Sequence, residues 1–429
     1  HSFGSDEGHM DAAALAAARS DTPVARFRRR LIDADIATDA ALKELEATVR
    51  KEIDAASDYA RKAPAPEAAE LYTDVFADTA SIPDHVIATA TPRAAGQYQP
   101  QSERMMTFGQ AVNEALAIAL EADKNVFLLG EDIADPAGGV VKTTYGLSTR
   151  FGRDRVRPTP IAEQAIVGAA IGAAMAGMKP VAEIMINDFL MVCMDQVSNH
   201  AAKLRYMSGG KTSVPLVIRT LTAGFVGSFG AQHSQSLEAW LAHTPGIKIV
   251  YPSTPAEAKG LLLSAIDDPD PVVFFESMRA YFAPGPVPEG DYRIPLGQAD
   301  VKRRGKDLTI ITYGWTVGEA LAAAETLAKE GVDAEVLDLR TIVPLDVAAI
   351  LESVGRTKRA IVLHAATEFG GFGGEVASII HSRLHGQLAA PVARVGARYT
   401  PVPFAAGLES LHFPQANRVI DAARAMLAR

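Results

Sequence analysis

Residues 159–186 have the sequence TPIAEQAIVGAAIGAAMAGMKPVAEIMI, in which a run of small and apolar residues precedes a short apolar segment. The run Ala165–Met178 has 14 residues. That is fewer than the roughly 20 that a membrane-spanning helix needs, so the run predicts a buried helix. The segment Pro180–Ile186 predicts a strand. A helix followed directly by a strand is typical of α/β folds.

The same alternation continues on both sides of this stretch. Short apolar runs predict strands, and apolar residues three or four positions apart predict the helices between them. The predicted strands of the first series are Val126–Gly130, Pro180–Ile186, Val214–Arg219, Ile247–Tyr251 and Val272–Phe275, and its helices are Thr107–Glu121, Glu163–Met178, Phe189–Met207 and Pro255–Asp267. After the proline-containing residues 276–300, a second series predicts strands at 308–313, 334–338 and 359–364 and helices at 317–330, 344–354 and 373–384. The pattern predicts two doubly wound α/β domains, over residues 104–285 and 295–429.

The residues before this region have a different character. Residues 1–9 resemble the remnant of an affinity tag and are excluded from the fold prediction. Residues 10–80 predict a helical arm, and residues 81–103, rich in Ala, Pro and Gln, predict a linker. One helix of the arm begins at Thr38 and carries an apolar stripe made of Leu42, Leu45, Val49, Ile53 and Ala56. The stripe predicts either an arm that packs on a partner chain or a helical cap on the chain's own body.

Charge and cysteine content exclude several classes of protein. The 429 residues carry a formal net charge of −9, from 42 basic and 51 acidic side chains. Nucleic-acid-binding proteins normally present a basic face, so this balance argues against nucleic acid as a partner. The single cysteine, Cys193, excludes an intrachain disulfide and a Cys-rich zinc site. It predicts a reducing cytoplasm, and the sequence predicts no contact with a membrane.

Two polar residues are candidates for chemistry. Glu163 lies at the start of the small-residue helix, where a carboxylate either serves the helix dipole or takes part in catalysis. His233 follows a glycine-rich stretch on a loop, where it is either an acid–base group or a hydrogen-bonded structural histidine. The glycine-rich segment Gly370–Gly374 predicts a tight turn before a helix, and the apolar neighbours of Cys193 predict inert core packing.

Several segments taken together, in order, carry a family resemblance. They are residues 126–132, 159–163, 195–199, 201–210, 231–236, 243–246, 258–262, 271–276 and 338–342. The chain resembles the β subunit of the thiamine-diphosphate-dependent E1 component of 2-oxoacid dehydrogenases, a group that includes pyruvate, branched-chain and acetoin enzymes. The arm resembles the C-terminal tail of the family's α subunit, at residues 21–27, 42–60 and 71–76. The α catalytic body, with its Gly-Asp-Gly motif, has no counterpart in this sequence.

The resemblance implies a fold, cofactors and site residues. Residues 104–285 would form a pyrimidine-binding domain and residues 295–429 a transketolase-type C-terminal domain. It implies thiamine diphosphate, Mg²⁺ held mainly by the α subunit, and potassium. Glu163 would hydrogen-bond N1′ of the aminopyrimidine, Phe189 would stack on that ring, Glu131 and Ile161 would lie near the cofactor, and His233 would assist the 2-oxo acid and acyl transfer. Potassium would be held by backbone carbonyls around Ala265, Ile266, Asp268 and Asp270.

The resemblance also implies an activity that needs a second chain. With an α subunit, in an α2β2 heterotetramer, the protein would decarboxylate a 2-oxo acid or cleave an acetoin-like ketone. It would then transfer the acyl group to a lipoyl-bearing E2. Two alternatives stay open, namely a stand-alone thiamine-diphosphate carboligase or lyase and a non-catalytic β-like scaffold. The loop before His233 is one residue longer than in relatives, and Arg157–Pro160 replaces the usual Asp-Thr-Pro, so the substrate is left open.

Overall fold

The computed structural model describes residues 11–67, 70, 73–77, 104–227 and 229–428. The tag remnant and the predicted linker 81–103 lie outside the described residues. The chain forms two compact units, His1–Leu71 and Tyr72–Arg429.

The first unit is helical, as the sequence predicts. Its helices are α1 (Ala12–Ser20), α2 (Pro23–Asp33) and α3 (Asp39–Lys62). Each begins after a side-chain cap, because the oxygens of Asp11, Thr22 and Thr38 accept a hydrogen bond from the first-turn backbone. Along the apolar stripe of α3, Leu45, Val49 and Ile53 are 58%, 47% and 62% exposed. The helices of this unit therefore do not cover the stripe.

The second unit contains a sheet of seven strands, namely β2 (Val126–Glu131), β3 (Val156–Thr159), β4 (Lys179–Ile184), β5 (Val217–Thr222), β6 (Lys248–Val250), β7 (Val272–Ser277) and β12 (Thr341–Val343). Across the sheet their order is β12-β6-β7-β5-β4-β2-β3. Neighbouring strands are parallel, except that β12 pairs antiparallel with β6. The sequence does not predict β12, which comes from the second series of elements and joins the sheet of the first.

A second sheet has five strands in the order β14-β13-β10-β11-β9. Its strands are β9 (Asp300–Arg303), β10 (Leu308–Thr312), β11 (Ala334–Asp338), β13 (Ala360–Thr367) and β14 (Ala393–Ala397). Strand β9 is antiparallel to β11, and the other pairs are parallel. A short antiparallel pair joins β1 (Met105–Thr107) to β8 (Pro284–Pro286). Both large sheets are therefore mostly parallel, as the alternation of elements predicts.

Helices pack against both sheets and complete the cores. They are α4 (Phe108–Ala122), α5 (Leu147–Phe151), α6 (Glu163–Met175), α7 (Leu204–Met207), α8 (Glu238–Ala242), α9 (Pro255–Asp267), α10 (Met278–Tyr281), α11 (Thr316–Lys329), α12 (Val347–Thr357), α13 (Gly373–Arg383), α14 (Ala406–His412) and α15 (Ala416–Leu427).

The predicted helix Phe189–Met207 is wrong in form. The structure has a 3₁₀ helix at Asn187–Cys193, a π-helix at Asp195–Ala201 and only then α7. The side chains of Asn187 and Asp188 form hydrogen bonds with a distant loop, and such tertiary contacts outweigh the helical periodicity of the sequence. Irregular turns of this kind are common at functional sites.

A buried ion cluster links the middle strands of the first sheet. Arg219 on β5 is 2% exposed, and its guanidinium donates to Glu276 on β7 at 2.6 and 2.9 Å and to Glu183 on β4 at 2.8 Å. Tyr281 donates to the Glu276 carboxylate. Burial raises the pKa of Glu276, against the opposing effect of Arg219. The arginine thus keeps two carboxylates compensated inside the sheet.

Replacing Arg219 with methionine should lower the free energy of unfolding by about 3–5 kcal/mol, because two buried carboxylates lose their cation. Denaturant unfolding of the chain measures the change. The matched control is Arg150→Met, which removes the exposed pair of Arg150 with Glu121 and should cost no more than about 0.5 kcal/mol. Equal effects of the two substitutions would contradict the prediction.

Candidate functional site

The candidate residues gather at one edge of the first sheet, where its parallel strands end. Glu131 is the last residue of β2, Glu163 follows β3, and Phe189 follows β4. His233 lies on the loop after β5. Because β3, β2, β4 and β5 are consecutive neighbours in the sheet, their carboxyl ends lie side by side. Ligands of open α/β sheets bind in the crevice outside these ends.

Glu163 is the first residue of α6 and is half-buried. The pKa of Glu131 is raised by burial and by the charges of Asp132 and Glu163. Burial, and then the charge of Glu163, raise the pKa of the Cys193 thiol to about 12, so this buried cysteine stays protonated at neutral pH. The charge of Glu163 therefore acts on both Glu131 and Cys193, whose negatively charged forms it disfavours.

The prediction of a buried helix behind Glu163 needs correction. Only one face of α6 is buried, and it is made of Ile166, Val167, Ala170, Ile171 and Ala174. The opposite face, made of Gly168, Ala169 and Gly172, is exposed. The small residues are exposed because they lie on the side of α6 that is turned away from the sheet. Ile161, just before the helix, is 75% exposed.

Phe189 and His233 lie next to each other. Their rings meet edge to face, with centroids 5.3 Å apart and planes at 82°. Both side chains are half-buried, so each keeps an accessible surface. The structure thus joins an aromatic platform to an acid–base side chain, a combination that suits a flat heterocycle beside a reacting group.

The loop before His233 is anchored by residues that the sequence alone does not identify. Phe225, at φ +66°, stacks on Trp315 with centroids 5.5 Å apart, and the Arg279 guanidinium lies 4.2 Å from the Phe225 ring. The backbone N–H of Phe225 donates to Glu409 Oε1 at 2.9 Å. A left-handed phenylalanine is rare and needs such support. Because Trp315 and Glu409 are distant in sequence, no local pattern could reveal these contacts.

A cavity of about 540 Å³ opens beside this loop. Its wall includes Ser234, Trp240, Phe369 and Tyr399. The Ser234 hydroxyl is buried and has no hydrogen-bond partner among the described residues. The accessible wall of the cavity is therefore largely aromatic, because Trp240, Phe369 and Tyr399 are exposed whereas the Ser234 hydroxyl is not.

The predicted potassium region carries its own cations. The Lys248 ammonium lies 2.8 Å from Asp268 and 3.1 Å from Asp270, and Arg205 Nε lies 3.0 Å from Asp270. The backbone N–H of Ala77 also donates to both carboxylate oxygens of Asp270 at 3.0 Å. Both carboxylates are thus already paired with positive groups.

Within the part of the chain that the structure describes, no group of three or more His, Cys, Asp or Glu side chains could hold a metal ion. Of the helices described, none has both the length and the apolarity needed to cross a membrane.

Two domain families match the chain. The transketolase pyrimidine-binding domain matches residues 104–283, and the transketolase C-terminal domain matches residues 297–419. Among solved structures, a split-gene transketolase described as an inactive β4 tetramer matches with a TM-score of 0.63 and 23% identity. It covers 75% of this chain and 98% of its own. This likeness shows the fold.

Curated relatives are closer in sequence. The β subunit of acetoin:2,6-dichlorophenolindophenol oxidoreductase from Cupriavidus necator is 46% identical, over 75% of this chain and 97% of its own length. From Bacillus subtilis, the β subunit of 2-oxoisovalerate dehydrogenase is 46% identical and the β subunit of the pyruvate dehydrogenase E1 component is 47% identical. Each of these two covers 75% of this chain and 98% of its own length.

Proposed function

The chain belongs to the E1 β-subunit family of pyruvate, branched-chain 2-oxoacid and acetoin dehydrogenases, and we propose that it supplies one half of the active site of such an enzyme. In this proposal, an α subunit supplies the other half. The observation that carries the proposal is the contact of Phe189 with His233 at the carboxyl edge of the sheet where Glu163 also lies. The proposed reaction is decarboxylation of a 2-oxo acid, or cleavage of an acetoin-like ketone, with acyl transfer to lipoyl-E2.

The pyrimidine-binding domain implies thiamine diphosphate as cofactor. The residues present fit its pyrimidine ring, because a half-buried carboxylate and a partly accessible aromatic ring follow β3 and β4, which are separated only by β2. When bound, thiamine diphosphate supplies a nucleophilic thiazolium carbon and an electron sink. Glu163 would hold a proton at the N1′ atom, and Phe189 would stack on the ring. Glu131 and Ile161 would border the same site.

His233 would act on the substrate side of the ring. Its imidazole lies against Phe189, so a group held on that aromatic platform falls within reach of the ring nitrogens. In this position it would donate a hydrogen bond to a carboxylate or carbonyl oxygen of the 2-oxo acid. It would then assist proton movement during acyl transfer.

The resemblance implies two metal ions, Mg²⁺ and potassium, which would be held by different residues. We propose that Mg²⁺ is held mainly by the α subunit, as the family resemblance implies. The Asp268 and Asp270 carboxylates do not fit a potassium ion, because Lys248 and Arg205 already bind them and would repel a further cation. The potassium ion that the resemblance implies would instead be held by backbone carbonyls around Ala265, Ile266, Asp268 and Asp270.

Two exposed surfaces support the need for a partner chain. The small-residue face of α6 is open. Glu163, the first residue of the same helix, is only half-buried, although a carboxylate used in catalysis must be shielded from water. The stripe residues Leu45, Val49 and Ile53 on α3 are exposed as well. We propose that the α subunit covers both surfaces in an α2β2 assembly.

The arm can be tested separately. Leu45→Glu should weaken binding of the α subunit at least tenfold, because a buried leucine contributes about 1.5–3 kcal/mol and a charge would replace it. The control Ala47→Glu adds the same charge to an exposed position outside the stripe and should bind like the wild type. Sedimentation of the mixed chains measures the affinity. If both variants bind the α subunit equally well, the stripe is not part of the interface.

Reconstitution with the α subunit tests the activity. The relatives named above have nearly equal identity, so their names do not select a substrate. Pyruvate, 2-oxoisovalerate and acetoin should be assayed with an artificial electron acceptor and with a lipoyl domain. We expect turnover of at least one of them together with reductive acylation of the lipoyl domain. Absence of turnover for every substrate, by an assembly that binds thiamine diphosphate, would overturn the proposal.

A further inference from the structure

Asn187 and Asp188 directly precede Phe189 and are 0% and 5% exposed. They begin the 3₁₀ helix after β4. Buried polar side chains need hydrogen-bond partners, since an unpaired one costs free energy. Both side chains find these partners mainly on the loop that carries His233.

The Asn187 side chain both donates a hydrogen bond to the backbone of that loop and accepts one from it. Its Nδ2 donates to the carbonyl oxygen of Gln235 at 2.9 Å, and its Oδ1 accepts from the N–H of Leu237 at 3.1 Å. The side-chain amide thus pairs with the loop as a neighbouring peptide group would. Asn187 is well suited to this role, because a carboxamide offers a donor and an acceptor together.

Asp188 binds the same loop through a side chain. Its Oδ1 accepts from Gln235 Nε2 at 2.8 Å and from the Gln235 backbone N–H at 3.4 Å, and its Oδ2 accepts from Asn187 Nδ2 at 3.2 Å. Hydrogen bonds to an ionised acceptor are stronger than those between neutral groups. Four contacts therefore fix residues 235–237 to the start of the 3₁₀ helix.

The two segments joined in this way carry the two rings of the site. Phe189 follows Asp188 directly, and His233 precedes Gln235 by two residues. The ring centroids lie 5.3 Å apart, so a shift of the loop would change the separation of the imidazole and the aromatic platform. A displacement of about 1 Å in a catalytic group can cost on the order of 100-fold in rate.

We propose that Asn187 and Asp188 are positioning residues that hold His233 at a fixed place relative to Phe189. This inference rests on the proposed function, and it names the residues that set the separation of the Phe189 and His233 rings. Neither side chain has to touch substrate or cofactor in this role. They act through Gln235 and Leu237, and a disturbed contact should reduce turnover without a loss of cofactor binding.

A charge exchange tests the Asp188–Gln235 contact. Gln235→Glu places a second carboxylate against Asp188, so the loop should move away. In the reconstituted enzyme we expect kcat to fall about 100-fold, while the half-saturating concentration of thiamine diphosphate changes less than about threefold. Adding Asp188→Asn restores a donor facing an acceptor, and the double variant should recover kcat to within about fivefold of the wild type.

Hydrogen exchange of the chain alone provides a readout that does not depend on activity. Amides of residues 231–237 should exchange at least about tenfold faster in Gln235→Glu and return toward the wild-type rate in the double variant. The control Thr309→Val breaks a buried hydrogen bond in the second sheet, where Thr309 Oγ1 lies 2.7 Å from Ser353 Oγ. It should lower stability without changing loop exchange or kcat.

Two results would overturn the proposal. One is wild-type exchange of residues 231–237 in Gln235→Glu, and the other is a double variant no better than that single variant. A wild-type enzyme without activity would refute the proposed function instead, and hydrogen exchange of residues 231–237 in Gln235→Glu and in Asn187→Ala would still decide whether Asp188 and Asn187 hold the loop, because each variant should exchange faster than the wild type.

Discussion

Replacing Glu163 with glutamine in the reconstituted α/β enzyme should lower kcat by about 1,000-fold, the middle of the range that general acid–base groups contribute. Glutamine has nearly the same shape but cannot hold a transferable proton. The start of α6 should keep its fold, because Glu163 is only half-buried and no side-chain hydrogen bond caps the helix there. Initial rates of 2-oxo acid decarboxylation with an artificial electron acceptor measure the effect.

The control for this substitution is Glu121→Gln. Glu121 lies on α4 with 67% of its side chain exposed, paired with Arg150. The same loss of one carboxylate there should leave kcat within about twofold, since exposed ion pairs contribute little. Near-complete activity in Glu163→Gln would remove this residue from the catalytic proposal. Unfolding temperatures of both variants should match the wild type, so that a fall in rate reports chemistry.

The second large effect is expected at the exposed face of α6. A leucine at Gly172 should weaken binding of the α subunit at least 100-fold, because small residues there would let a partner backbone approach closely. The chain itself has room for the new side chain, since a Cβ at Gly172 meets nothing within 4 Å and one at Gly168 meets only Gln196 at 3.9 Å. Removing a helical glycine should raise the stability of the chain by up to about 1 kcal/mol.

Gly318→Leu is the matched control for Gly172→Leu. Gly318 lies within helix α11, is exposed, and a Cβ there also meets nothing within 4 Å. This variant should bind the α subunit with wild-type affinity. Analytical ultracentrifugation of the chain mixed with the α subunit distinguishes the two variants. Normal assembly of Gly172→Leu would show that the small-residue face of α6 is not the interface.

The sequence predicts much of this architecture because local periodicity carries it. Helix α9 spans Pro255–Asp267 as predicted, since Pro255 at its first turn and the Thr254 cap mark its start. Strand β11 likewise spans Ala334–Asp338 as predicted. The carboxyl ends of parallel strands share one edge of a sheet. Glu163, Phe189 and His233 each follow a strand of the first sheet, but Phe189 is expected near the cofactor only because of the family resemblance.

Other features depend on contacts that no local pattern contains. Strand β12 pairs with β6 although the two lie in different series of elements, and Phe225 bonds to Glu409 across 184 residues of sequence. The helix that the sequence predicts after Asp188 is replaced by 3₁₀ and π turns, and the side chains of Asn187 and Asp188 at its start bond to a loop some 48 residues away in sequence. The exposed glycines of α6 resemble core residues in composition, and only their placement in the fold shows that they face away from the sheet.

Titration of this chain with the α subunit tests whether the chain is the β half of a two-chain active site. Thiamine diphosphate binding and 2-oxo acid decarboxylation should be measured for the chain alone, for the α subunit alone, and for mixtures of increasing ratio. We expect activity only in the mixture, rising to a plateau at one α subunit per chain. Turnover by the chain alone, or a mixture that binds thiamine diphosphate no better than its separate parts, would contradict this expectation.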